Sequence, residues 1–90
     1  MSTMPSFTSM NASDLAEILF TSPLQESDRP SAEQVRTAIN DRFGACRGDS
    51  SRWIAAVAQE AGDHPDTYLP RMRWALTTVY AAYPGLTTAA

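Results

Sequence analysis

Ninety residues bound this chain to one domain, of a size that buries roughly two-thirds of its unfolded surface and leaves no room for a deep, enclosed substrate cavity. The hydrophobic fraction of 43% includes 14 alanines, and the 19 large apolar residues between Leu15 and Tyr83 suffice for one compact core. The net charge of −3 disfavours nonspecific nucleic-acid binding, while Cys46, the sole cysteine, excludes an internal disulfide.

Charge is unevenly spread. Residues 1–28 carry four acids and no base, whereas residues 29–73 carry seven arginines against six acids. Lysine is absent, so any basic contact is a planar fork suited to carboxylates and phosphates. The opening MSTMPSFTSM lacks the basic start and apolar run of a signal peptide. No apolar stretch approaches the roughly 20 residues of a membrane span. A soluble cytoplasmic protein with no membrane contact is expected.

Taken in chain order, residues 1–10 are expected to be a disordered N-terminal segment, with nothing to pack against. Asn11 or Ser13 can cap a first short helix, with Asp14 in its first turn and Leu15, Ile18 and Leu19 facing inward. Thr21-Ser22-Pro23 ends it, because Pro23 disfavours helical geometry at the residue before it. A polar connection follows, from Gln25 to Pro30. Ser31 and Gln34 form a capping box for a second helix, which carries Val35, Ala38, Ile39 and Phe43 on one face and is stopped by Gly44.

After a loop from Ala45, Asp49 or Ser50 caps a third helix whose inner face is Ile54, Val57, Ala58 and Ala61, with Trp53 adjoining it. Gly62 terminates this helix and Asp63 caps the next. The last helix is the longest. Pro70 either kinks it or marks a fresh start near Leu69, because a proline inside a helix removes one bond. Pro84-Gly85 closes it, leaving residues 85–90 as a tail. The expected class is all-α: a single bundle of four short helices over residues 11–84.

Catalytic and metal chemistry find little support. His64 beside Asp63, with Cys46 as a nucleophile, lacks a third group at a telling position. Cys46, Asp63, His64 and Asp66 have no recognised metal-ligand spacing, and no glycine-rich phosphate loop is present. No enzyme, cofactor or metal is expected.

The last helix carries the sharpest clue. At roughly 100° per residue, Leu69, Met72, Leu76, Val79, Tyr80 and Tyr83 form an apolar stripe, and Trp74 falls on the opposite face beside Arg71 and Thr78. Either the helix is buried on both sides, or Trp74 faces a partner. Trp74 with Arg71 three residues earlier can stack as a cation–π pair, and both residue types are enriched at binding hot spots. The expected function is therefore a non-enzymatic interaction module, binding another protein or itself through Arg71, Arg73, Trp74 and Thr78.

The alternative is DNA binding. Val57 to Gly62, followed by a further helix, resembles the helix-turn-helix of lactose-repressor-type regulators. That resemblance implies that Ala58 lets two helices approach, that Gly62 makes the turn, and that Thr67, Arg71 and Arg73 contact DNA. Asp63, Pro70 and Arg71 depart from its pattern. A longer resemblance covers Val57-Ala58-Gln59-Glu60, Gly62-Asp63-His64-Pro65-Asp66-Thr67 and Arg71-Met72-Arg73-Trp74-Ala75, together with Leu24 to Arg36 upstream. These blocks are similar to a group of small actinobacterial proteins of uncharacterised function. The resemblance implies no activity, but it implies that the GDHP turn and the RMRW segment form one structural unit.

Overall fold

The computed structural model describes residues 10–85. The calls on residues 1–9 and 86–90 lie outside them. Four α-helices and one short 3-10 turn make up the fold: α1 Ala12–Phe20, the turn Glu26–Asp28, α2 Ala32–Ala45, α3 Ser50–Asp63 and α4 Pro65–Ala82. No strand occurs among the described residues, and the class is all-α.

α1 begins at a reciprocal cap. The Asn11 side chain accepts from the Asp14 amide at 2.9 Å, and the Asp14 carboxylate accepts from the Asn11 amide at 3.3 Å. This satisfies two donors that the first turn cannot pair internally. Ala12, Leu15, Ala16, Ile18, Leu19 and Phe20 are all buried, which is more than the expected face of Leu15, Ile18 and Leu19. Ser13, Asp14 and Glu17 share the remaining side of α1, which leaves a broad apolar face to pack on the other helices. α1 packs most extensively on α4 and also on α2 and α3, and α4 likewise touches all three other helices. Alanines Ala16 on α1 and Ala75 on α4, both fully buried, belong to the same core cluster as Met10. Met10, expected to stand outside the domain, is thus part of the core.

α2 starts at the Ser31–Gln34 capping box. Its end differs from expectation. Gly44 lies within the helix, and the left-handed residues are Arg47 (φ 56°) and Gly48 (φ 68°). The Gly48 amide donates to the Phe43 carbonyl at 3.0 Å and the Arg47 amide to the Gly44 carbonyl at 2.9 Å. That pair of bonds is a Schellman closure, in which the residue after the cap takes the left-handed conformation. Here that residue is Arg47, three positions beyond the expected stop.

α3 is capped by Asp49, whose carboxylate accepts from the Ser51 amide and hydroxyl. These bonds hold the Asp49 carboxyl below its ordinary range. The inner residues are Trp53 and Val57; Ile54 is 47% exposed and Ala58 is exposed, so the buried face is rotated from the expected one. The rotated face buries the large Trp53 ring against Phe43 and leaves Ile54 at the margin.

Gly62 does not stop α3, which continues to Asp63 and gives way to α4 after the single residue His64. Pro65 occupies the first position of α4, where its missing amide donor costs nothing. Pro70 is accommodated inside one continuous helix rather than starting a new one. It leaves the Asp66 carbonyl without its usual i+4 donor. Pro70→Ala is expected to restore that bond and raise unfolding stability by about 1–3 kcal/mol, read as a higher urea midpoint. A lower midpoint would mean that the proline shapes the helix for its packing.

Candidate functional site

Arg71 is the most highly connected side chain on α4. Its Nη2 donates to the Phe20 carbonyl at 2.8 Å and to the Ser22 carbonyl at 3.0 Å; Nε donates to Phe20 at 3.1 Å. Nη1 reaches the Gln25 side-chain oxygen at 3.4 Å. The guanidinium also lies 5.3 Å from the Phe20 ring centre and 5.2 Å from that of Trp74. A cation at the carbonyl end of α1 meets both unpaired acceptors and the negative end of the helix dipole. Burial lowers the Arg71 pKa, with Glu60 acting in the opposite sense. Arg36 performs a similar service for α4, donating from Nη1 to the Ala82 carbonyl at 2.9 Å.

Of the four residues expected at the contact face, Arg71 therefore holds the fold together and Trp74 packs, half-buried, against the core. Thr78 is half-buried, and Arg73 is exposed. The Arg71–Trp74 stack expected from the sequence is present. The buried centre of α4 is Ala75, Val79 and Ala82, with Trp74 half-buried at its margin and Arg71, on the same flank, bonded to the end of α1.

The expected apolar stripe of α4 divides in two. Val79 is fully buried, and Met72, Leu76 and Tyr83 are half-buried, whereas Leu69 is 49% and Tyr80 39% exposed. At roughly 100° per residue, Leu69, Arg73, Leu76 and Tyr80 fall within about 60° of one another along one outward face. Arg73 makes no ion pair among the described residues.

Two open grooves flank the bundle. One, of about 600 Å³, runs along α2 and is lined by Pro23, Leu24, Ala38 and Ala45 together with Glu33, Asp41 and Arg42. The second, of about 610 Å³, is polar and lies between the end of α1, the second half of α3 and the start of α4. Glu60, Asp63, Arg42 and Arg71 border it. Both arginines are tied to its wall: Arg42 Nε donates to Thr21 Oγ1 at 3.1 Å, and Arg71 to the α1 carbonyls. Cys46 is buried in the core at the end of α2 and His64 is exposed at the α3–α4 junction. Neither lines either groove. No group of three metal-ligating side chains occurs among the described residues.

The helix-turn-helix roles are not reproduced. Such a motif joins its helices by a turn of about three or four residues. Here only His64 intervenes, Gly62 is helical, and Ala58 is exposed. Thr67 spends its hydroxyl on the His64 carbonyl at 3.3 Å, and Arg71 is held by α1. No helix of the described residues is long and apolar enough to cross a membrane. Against protein-family models, curated proteins and solved structures the chain finds no match.

Proposed function

We propose that this chain is a small, non-enzymatic interaction module that docks through the outward stripe of α4. The observation that carries the reading is the exposure of Leu69 and Tyr80 on the same face as half-buried Leu76 and exposed Arg73. Apolar residues at i, i+7 and i+11 are the spacing by which one helix presents anchors to a partner surface. Arg73, set among them, calls for a carboxylate on that partner, to which a guanidinium can bond through two donors at once. The contact set is thus Leu69, Arg73, Leu76 and Tyr80. Arg71 and Trp74 stand behind it, fixing the position of α4.

An amide chemical-shift titration tests this, using a short synthetic helix with a leucine stripe flanked by glutamates. Shifts are expected to cluster on Leu69, Arg73, Leu76 and Tyr80 and to weaken as salt is added. The same peptide with lysines in place of glutamates should move them far less. Shifts spread evenly over the bundle, or indifferent to the flanking charge, would overturn the reading.

A further inference from the structure

We infer that the partner of the α4 stripe is the α2 groove of a second copy of this chain, so that molecules join head to tail. The inference rests on the reading of the stripe as a docking face and names its occupant.

Three kinds of complementarity support it. Sterically, Ala38 and Ala45 share one face of α2 with Asp41 and Arg42 between them, and with Pro23 and Leu24 their short side chains keep the two ends of the groove low. The stripe offers the bulk that those ends lack: Leu69, Leu76 and Tyr80. In length, the groove from Glu33 to Ala45 runs about 18 Å along α2 and the stripe from Leu69 to Tyr80 about 16 Å along α4. Electrostatically, exposed Glu33 and Asp41 line the groove, and exposed Arg73 stands in the stripe. Arg42, which also borders the groove, directs its Nε to Thr21 at the end of α1.

The symmetric alternative, stripe against stripe, is poorer. An antiparallel pairing about the middle of the stripe sets the two copies of Arg73 within about 5 Å of each other along the axis, a repulsive arrangement. The groove and the stripe share no residue, so one molecule can use both at once. Joining two different patches is a heterologous contact, which need not close on itself and grows with concentration.

Sedimentation over a concentration series, with the fold of each variant checked by circular dichroism, gives the test. The unmodified chain is expected to gain mass progressively as concentration rises. A stripe variant (Leu69→Ser with Tyr80→Ser) and a groove variant (Glu33→Arg with Asp41→Arg) should each remain monomeric. Mixed in equal amounts, they should form a one-to-one dimer that grows no further, because one supplies an intact groove and the other an intact stripe. Adding Arg73→Glu to the groove variant should restore growth. A chain that stays monomeric at millimolar concentration, or stops at a closed dimer, overturns the inference. So does assembly lost in the stripe variant but untouched in the groove variant. That last result would leave the docking stripe standing with a different occupant, whereas a failed peptide titration would remove the stripe itself.

Discussion

Trp53→Ala is expected to remove much of the chain's stability and to move its urea midpoint sharply downward. Trp53 is the largest fully buried side chain, 1% exposed, with its ring 5.8 Å from that of Phe43. Truncating a buried tryptophan to alanine costs about 3–5 kcal/mol, through lost transfer free energy and the cavity left behind. A domain of this size has a total stability on the order of 5–10 kcal/mol, so the loss consumes much of it. The indole Nε1 has no hydrogen-bond partner among the described residues, and that unpaired donor already weighs against the fold. Trp53→Phe therefore removes less than the difference in ring size suggests, and should cost under about half as much as alanine. Urea unfolding followed by far-ultraviolet circular dichroism checks both. An alanine variant that unfolds at nearly the same urea concentration would show that Trp53 does not anchor the core.

Arg71→Met is expected to cost about 2–4 kcal/mol, although Arg71 is only part-buried. Methionine keeps much of the aliphatic stem and loses every donor. Three hydrogen bonds to the Phe20 and Ser22 carbonyls disappear, and those carbonyls sit at and just beyond the end of α1. The stacking of the cation between Phe20 and Trp74 is lost with them. Arg71→Lys should recover part of the stability, since it restores a charge at the helix end without the fork that serves two residues together. Thermal or urea unfolding of the two variants separates these contributions. If Arg71→Met were as stable as the parent, the arginine would be a surface residue free to contact a partner, as the sequence first suggests.

How much of this was legible beforehand follows the range of the interactions. The Asn11–Asp14 and Ser31–Gln34 caps act over three residues, and the sequence displays both partners side by side. Four helices could be read for the same reason, from local periodicity and caps. The two arginine caps could not. Arg71 serves α1 from 51 residues away and Arg36 serves α4 from 46, so nothing near either helix end announces them. Trp74 shows the same limit. Its place opposite the apolar stripe is visible in the sequence, but its half-burial depends on how α4 sits among the other three helices, which no local pattern displays. The exposed large apolar residues of α4 are Leu69 and Tyr80, around the helix from half-buried Trp74. Glycine misled twice: Gly44 and Gly62 looked like helix stops, yet Arg47 and Gly48 made the left-handed turn and His64 alone made the other.

The most extensive helix contact in the molecule joins α1 to α4, the first helix to the last. A polypeptide emerging from the ribosome therefore makes α1 early and must wait for nearly the whole domain before that helix finds its main packing surface. Until then, the apolar sides of α1 remain open to water or to a chaperone, and the long loop between them must close late. Helical bundles of short reach fold quickly, but one fastened end to end gives up part of that advantage. Joining the ends and opening the chain within the exposed Glu26–Asp28 turn would place α4 directly ahead of α1 in the chain, and would turn this long-range closure into a local one.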